Sequence, residues 1–131
     1  MRRFPRKILK RLHCLKKSYQ RCVRARVLLE EGKITASREL FAGIATIIKD
    51  CYESGILTEE EYKYIRGLIG NTISAYDWVI RISYGEGDEI LISQPQEYVK
   101  LVEKVRYVED RLLILYTDKV HLYTLYPETL K

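Results

Sequence analysis

The chain has 131 residues, 47% of them hydrophobic and 31% charged, which is typical of one globular domain and excludes disorder throughout. It contains no run of about 18 uncharged apolar residues, and its basic N-terminus lacks the apolar block of a secretory signal, so a membrane span and a signal peptide are not expected. We therefore predict a single domain over residues 1–131 in the cytoplasm, or in the host cytoplasm if the protein is viral.

The charge is unevenly distributed along the chain. Of the 23 basic residues, eleven lie between Arg2 and Arg26, and no acidic residue occurs before Glu30. The remaining 12 basic residues face all 18 acidic ones, so residues 27–131 carry a net charge of −6. The chain is therefore one basic element followed by a mildly acidic body.

The basic stretch is predicted to be a long amphipathic helix. Pro5 suits a first helical turn, and apolar residues such as Ile8, Leu12 and Leu15 then recur at steps of three and four. The opposite side carries a line of cations. We predict that these bind nucleic-acid phosphates: Arg3, Lys7, Lys10, Lys17, Arg21 and Arg24.

Such a line of like charge is costly, because neighbours four residues apart repel by roughly 0.2–0.5 kcal/mol each. Nucleic-acid phosphates or an acidic protein surface would relieve it, as would the chain's own acidic body or simply solvent and salt. An anionic membrane is a weaker alternative, because the apolar stripe includes Tyr19 and Cys22 and no Trp.

The cysteines and histidines give no metal site. Cys14 and Cys22 lie roughly 12 Å apart along one helix, too far for a disulfide, and Cys51 is remote in sequence. Neither His13 nor His121 lies near a Cys-x-x-Cys or His-x-x-x-His motif. We predict free thiols in a reducing compartment, no metal and no cofactor.

Two further helices are predicted in the middle of the chain. Gly32 ends the first helix, and Thr35 can cap a second over residues 36–54. Thr58 and Glu61 form a capping box that starts a third helix, running from residue 59 to about 84. Within it lies a strip of small residues that indicates close approach of another helix or a ligand groove. The strip consists of Gly67, Gly70 and Ser74.

The helix pair over residues 39–69 resembles small uncharacterised bacteriophage proteins. The residues that carry the resemblance are Glu39, Ala42, Gly43, Ile44, Asp50, Tyr52, Gly55, Thr58, Glu61, Tyr62, Arg66, Gly67, Leu68 and Ile69. It covers about a quarter of the chain, implies a viral accessory context and transfers no site residues.

The last part of the chain is predicted to contain strands. Residues 89–93 suit a short strand, and Pro95 can open a helix. Residues 111–117 and 120–126 then suit a hairpin around a turn at Asp118 and Lys119, apolar on both faces. The predicted fold is therefore α+β: a three-helix part over residues 1–84, then a mixed, strand-rich part over 88–126. An all-α bundle, with a continuous helix from Pro95 to Tyr116, is the alternative.

No catalytic motif is recognisable. A phosphate-binding glycine loop and a nucleophile elbow are absent, and a ribonuclease site built from Lys119, His121 and Tyr123 has no support from spacing. We predict that the protein is not an enzyme.

Two functions remain. We prefer a nucleic-acid-binding accessory or structural protein, which contacts DNA or RNA phosphates largely independently of sequence and forms homo-oligomers through the apolar hairpin. The alternative is a small viral inhibitor or adaptor whose basic helix docks on an acidic surface of a host protein. The eleven tyrosines cluster away from the cationic line, which favours protein contact over base stacking.

Overall fold

The computed structural model describes residues 4–84, 91–92 and 94–126. These residues form four helices and one pair of two-residue strands. The helices are α1 (Arg6–Glu30), α2 (Ile34–Glu53), α3 (Glu59–Ile82) and α4 (Pro95–Leu125). Strands β1 (Ser83–Tyr84) and β2 (Leu91–Ile92) lie between α3 and α4 and pair antiparallel, with Ser83 opposite Ile92.

Short turns join the first three helices. Gly32 and Gly55 have φ angles of 83° and 88°, left-handed conformations that glycine adopts without steric cost. The capping box predicted at the start of α3 is present: the Glu61 amide donates to Thr58 Oγ1 at 3.1 Å, and the Thr58 amide donates to Glu61 Oε1 at 2.9 Å. These turns fold each helix back against the preceding one.

The four helices form an up-down-up-down bundle in which α1 packs on α2 and α4, and α3 packs on the same two helices. Ser37 at the start of α2 bonds Ala25 near the end of α1, so these helices are antiparallel. Helices α1 and α4 are antiparallel as well, because the Tyr98 hydroxyl donates to the Leu29 carbonyl while Tyr116 and Val120 lie near the start of α1.

The core lies along the bundle axis and takes one apolar face from each helix. Its largest fully buried side chains are Ile8, Leu15, Leu29, Ile34, Phe41, Ile44, Ile48, Ile56, Ile69, Tyr76, Leu101 and Leu112. Three polar residues, Ser18, Ser37 and Thr72, are also buried. Each of them donates a hydrogen bond to a backbone carbonyl, so burial leaves no hydroxyl proton of these residues unpaired.

The prediction of an α+β fold with a C-terminal hairpin is wrong, and the all-α alternative is correct. Residues 111–125 are the last part of α4 and Tyr126 follows it, so Asp118 and Lys119 lie inside the helix and make no turn. The buried residues of α4 keep helical spacing: Leu101, Val105, Val108, Leu112 and Tyr123. Only the two-residue strand β2 falls in the predicted strand 89–93, whose other residues lie outside the described part of the chain.

The sequence prediction of a hairpin depends on the apolar run over residues 112–115 and on the alternation of residues after Val120. In α4 the same run is divided: Leu112 is fully buried, whereas Leu113 and Ile114 are exposed. The helix therefore tolerates apolar side chains on its solvent side, and local sequence alone did not reveal this.

The small-residue strip on α3 does not mark a close contact. A Cβ added to Gly67 or Gly70 would meet nothing within 4 Å, and Ser74 is exposed and donates to the Gly70 carbonyl at 3.2 Å. Within the described residues, nothing approaches the two glycines closely and Ser74 is open to solvent, so the predicted close approach of another helix is absent.

None of the helices in the described part of the chain combines the length and the apolar character that crossing a bilayer requires.

Candidate polyanion-binding face

Helix α1 turns a row of cations outward because its apolar residues face the core. Arg6, Lys10, Lys17 and Arg24 follow one another at steps of four, seven and seven residues, which keeps them on one side of a helix. All four are exposed. We call these four residues the cationic line; at ~1.5 Å per residue it is about 27 Å long.

Two more exposed lysines flank the line, Lys7 on one side and Lys16 on the other. None of these six cations forms an ion pair with any residue that the structure describes. Among the described residues no acidic side chain neutralises these six cations, so solvent and dissolved salt screen their charge.

Several acidic residues of the bundle form ion pairs, but with basic residues other than the six exposed cations of α1. Glu61 binds Lys119 at 2.8 Å and Asp77 binds Arg38 at 2.8 Å. Glu30 accepts from Arg106 at 2.7 Å, and these contacts lower the pKa values of Glu30 and Asp77 below their ordinary range, chiefly through the hydrogen bonds from Arg106 and Arg38. The explanation that the acidic body neutralises the line is thus not supported by the described ion pairs.

The predicted site residues divide into three groups. Lys7, Lys10, Lys17 and Arg24 lie on the exposed cationic side of α1, and Arg3 lies outside the described residues. Arg21 is half-buried, and its Nε donates to the Leu40 carbonyl of α2 at 2.7 Å. This contact holds α1 against α2 and turns the Arg21 side chain away from the row of exposed cations.

Arg26, another cation of α1, serves the α1–α4 contact. Its Nε donates to Glu109 Oε1 at 2.7 Å, and its Nη1 reaches Glu30 of its own helix at 3.2 Å. The hydrogen bond to Glu109 is the main cause that raises the pKa of Arg26. The basic stretch thus contains both structural and solvent-facing cations, a distinction that the linear sequence does not make.

A groove of about 530 Å³ lies between the start of α1 and the far part of α4, beside the cationic line. Its lining is part apolar, part aromatic and part basic. The apolar and aromatic residues are Phe4, Leu9, Leu12, Tyr116 and Val120, and the basic ones are Arg6, Lys10, His13 and Lys16. One end of the cationic line therefore borders a concave surface that holds two aromatic rings.

Sequence reasoning missed Phe4, Tyr116 and Val120 as neighbours of the cations. The sequence prediction places Tyr116 in a hairpin and the tyrosines away from the cationic line. The helical spacing of Leu101, Val105, Val108 and Leu112 was the available signal. Extended to Tyr116 and Val120, it predicts one long helix in place of the hairpin.

Other candidate groups do not converge. Lys119 is paired with Glu61, Tyr123 is buried and His121 is exposed, so these three do not share a site. No group of three or more metal-binding side chains occurs among the described residues.

The geometry defines a class of protein: a four-helix bundle in which the outer face of α1 is cationic and a groove lies beside the N-terminal end of that helix. Comparisons with models of protein families, with curated proteins and with solved structures give no match to the chain. The resemblance of residues 39–69 to bacteriophage proteins stays a prediction.

Proposed function

We propose that the protein binds nucleic acid through the outer face of α1, as an accessory or structural protein with little sequence preference. The observation that carries this proposal is the set of six exposed cations on α1 without an ion-pair partner among the described residues. Lysine and arginine in a row reach backbone phosphates more readily than they distinguish base edges. The cytoplasmic location and the viral context belong to the same proposal.

The length of the cationic line suits a backbone of phosphates. A line of about 27 Å runs past several phosphates, because one strand of B-DNA carries one about every 3.4 Å. Neutralising about five phosphates predicts a slope of log K against log salt near −4.5 for a duplex and near −3.5 for a single strand.

The groove favours a single strand over a duplex. Arg6 and Lys10, at the N-terminal end of the cationic line, share this concave surface with Phe4 and Tyr116. Stacking of an unpaired base on an aromatic ring contributes roughly 1–3 kcal/mol to binding. Lys10 and Lys16 border the same groove, where they would meet the flanking phosphates. We therefore propose single-stranded DNA or RNA as the preferred ligand.

The test is a fluorescence-anisotropy titration with unrelated single-stranded DNA, single-stranded RNA and duplex oligonucleotides at several salt concentrations. One variant replaces four exposed cations of α1: Lys7→Gln, Lys10→Gln, Lys17→Gln and Arg24→Gln. Arg21 is kept, because it holds α2. A matched variant removes four exposed cations elsewhere: Lys49→Gln, Lys63→Gln, Lys100→Gln and Lys104→Gln.

We expect salt-steep binding by the wild type, a loss of at least tenfold in the α1 variant and little change in the matched variant. Tyr116→Ala should weaken single-strand binding by about 5- to 150-fold, as expected for one lost stacking contact, and leave duplex binding nearly unchanged. Equal losses in the two charge variants would contradict the assignment to α1, because net charge alone would then explain them.

Absence of binding to every oligonucleotide at low salt would contradict the whole proposal. The alternative function, in which α1 docks on an acidic surface of a host protein, would then remain. It predicts one protein partner with defined stoichiometry and hot spots at aromatic residues.

The predicted self-association depended on an apolar hairpin, but the residues of that hairpin belong to α4. Exposed apolar side chains on the outer side of α4, among them Ile114, Leu122 and Leu125, now give the support for a homo-oligomer. Light scattering coupled to gel filtration measures it, and a monomer at all concentrations would remove this part of the proposal.

A further inference from the structure

Two cysteines from different helices lie in direct contact. Cys14 of α1 and Cys51 of α2 are 37 residues apart in sequence, and their Sγ atoms are 2.7 Å apart. A disulfide bond is about 2.05 Å long, so the two sulfur atoms need to approach by less than about 1 Å to form one. The contact is independent of the cationic line and of the groove.

The antiparallel packing of α1 and α2 creates this contact. Ser37 and Ala25 meet at one end of the interface, Arg21 and Leu40 in the middle, and Cys14 and Cys51 toward the other end. Cys14 Sγ also lies 3.5 Å from the Ile47 carbonyl of α2, so its side chain is directed at the same helix. Both thiols are thus held in the interface by the fold.

We propose that Cys14 and Cys51 are a modification site, at which a small-molecule disulfide such as oxidised glutathione converts the two thiols into an intramolecular disulfide that links α1 to α2. In the reduced protein both residues are free thiols. The proposal concerns the chain itself and does not depend on nucleic-acid binding.

The reaction proceeds by two thiol–disulfide exchanges. The Cys14 thiol loses its proton to solvent, and the thiolate attacks one sulfur of oxidised glutathione, forming a mixed disulfide and releasing one glutathione thiolate. Cys51 then passes its proton to the released glutathione thiolate, which becomes a thiol, and the Cys51 thiolate attacks the Cys14 sulfur. The bond between Cys14 and Cys51 forms, the mixed disulfide breaks and the second glutathione leaves, so two electrons pass from the pair to the oxidant.

Cys14 is the entry point because it is half-buried, whereas Cys51 has no exposed surface. Burial, and then the hydrogen bond to Cys14, raises the pKa of the Cys51 thiol, so Cys51 suits the second, intramolecular step, in which proximity compensates for a low thiolate fraction.

Cys22 is an internal control. It is fully buried on the side of α1 that faces α4, and its Sγ lies 3.7 Å from the Val105 carbonyl. Burial raises its pKa as well. We expect Cys22 to stay a thiol while the other two react.

The experiment equilibrates the full chain in glutathione buffers from about −300 to −180 mV, traps free thiols by acid quench and alkylation, and maps non-reduced peptides by mass spectrometry. We expect three free thiols at the reducing end, one at the oxidising end, and a single cross-linked peptide pair that contains Cys14 and Cys51. Cys22→Ser should form the same cross-link, whereas Cys14→Ser should not form it.

A second measurement follows stability. Oxidation should raise the melting temperature of the wild type on the order of 10 °C and should not raise that of Cys51→Ser. Three thiols at −180 mV, a persistent glutathione adduct on Cys14, or a cross-link through Cys22 would each overturn the proposal. Peptide mapping of the wild type decides the matter even if a serine variant fails to fold.

Discussion

The guanidinium of Arg21 lies against Gly43, in the space that a side chain at position 43 would occupy. From there its Nε reaches the Leu40 carbonyl at 2.7 Å. Glycine inside a helix costs up to about 1 kcal/mol relative to alanine. A side chain at position 43 would collide with the guanidinium of Arg21, which crosses from α1 to α2. This explains why the long helix α2 contains a glycine there despite its cost.

Replacing Gly43 with alanine should therefore destabilise the bundle or leave its stability unchanged. The new Cβ displaces the guanidinium, and losing its hydrogen bond costs about 1.5–3 kcal/mol, which offsets the gain in helix propensity. Gly67→Ala is the matched control: it lies inside α3 with nothing within 4 Å, so it should stabilise by about 0.5–1 kcal/mol. Urea denaturation measures both, and equal stabilisation would show that Arg21 yields without cost.

A buried hydrogen-bond chain joins three helices. Ser37 Oγ lies 2.6 Å from the Ala25 carbonyl and 2.7 Å from the Tyr76 hydroxyl. Because a carbonyl only accepts, Ser37 donates to Ala25 and accepts from Tyr76. Ser37→Ala should cost about 1–3 kcal/mol, since it leaves the Tyr76 hydroxyl buried without its acceptor.

Adding Tyr76→Phe to the Ser37→Ala variant should recover part of that loss, because the unpaired hydroxyl is then removed. A double-mutant cycle in urea measures the coupling between the two residues. Simple additivity of the single losses would show that the Ser37–Tyr76 hydrogen bond does not couple the two residues energetically.

Stability should also fall in alkali. Burial raises the pKa of Tyr76 above its ordinary value, so above about pH 10 the unfolded chain loses this proton before the folded one does. The free energy of unfolding contributed by Tyr76 is intact below that pH and decreases as the pH rises, by at most about 1.4 kcal/mol per pH unit. Tyr76→Phe should make the decline between pH 10 and 11 shallower, and an unchanged slope would exclude Tyr76 as its source.

The ion pair between Glu61 and Lys119 ties the start of α3 to α4. Burial by itself raises the pKa of Glu61, but the hydrogen bonds from Lys119 and Thr58 outweigh it and lower the pKa. Glu61→Gln keeps a capping residue and leaves the Lys119 ammonium, whose side chain is only 12% exposed, without its carboxylate. We expect a loss of about 1–3 kcal/mol at pH 7.

Because its pKa is lowered, Glu61 contributes its stability above about pH 4.3 and loses it as the pH falls through the folded-state pKa. The difference between the wild type and Glu61→Gln should therefore shrink below pH 4. Glu59→Gln is the control, because the exposed pair of Glu59 and Lys63 should be worth less than about 1 kcal/mol. Equal effects of the two variants at pH 7 would show that the partly buried pair of Glu61 and Lys119 contributes no more than the exposed pair.

The first three helices were predictable because local signals mark most of their ends, such as Gly32, Gly55 and the capping box at Thr58. The predicted cap at Thr35 is wrong: α2 begins at Ile34, with Lys33 at its N-cap and no side-chain capping hydrogen bond. The fourth has apolar residues on several faces, and its inner face is fixed by packing against α1 and α3. The sequence of α4 alone fits a hairpin as well as a helix. Packing against α1 and α3 decides between the two structures, and local sequence patterns contain no information about this packing.

The cationic character of α1 was predictable from composition, but the role of each cation was not. Arg21 and Arg24 are three residues apart in one basic run, yet Arg21 binds the Leu40 carbonyl whereas Arg24 is exposed. Which cation becomes structural depends on where α2 approaches, and the groove depends on where α4 ends. Both are properties of the assembled bundle.

The exposed cations should destabilise the ligand-free protein at low salt. Lys7 lies three residues from Lys10, and Lys10 four from Arg6, so these like charges repel by roughly 0.2–0.5 kcal/mol per pair. Raising the ionic strength from about 0.01 M to 0.15 M shortens the Debye length from about 30 Å to 8 Å, which should raise the melting temperature of the wild type.

The variant with Lys7, Lys10, Lys17 and Arg24 changed to Gln should be more stable than the wild type at low salt, by about 1 kcal/mol, and respond less to added salt. The variant with Lys49, Lys63, Lys100 and Lys104 changed to Gln should respond to salt nearly as the wild type does, because it keeps all the cations of α1. The ion pairs that it removes, Lys63 with Glu59 and Lys100 with Glu97, lie at the surface and contribute little. Thermal melts without nucleic acid measure this repulsion separately from binding. An identical salt response in all three proteins would show that repulsion among the α1 cations does not destabilise the protein in the absence of nucleic acid.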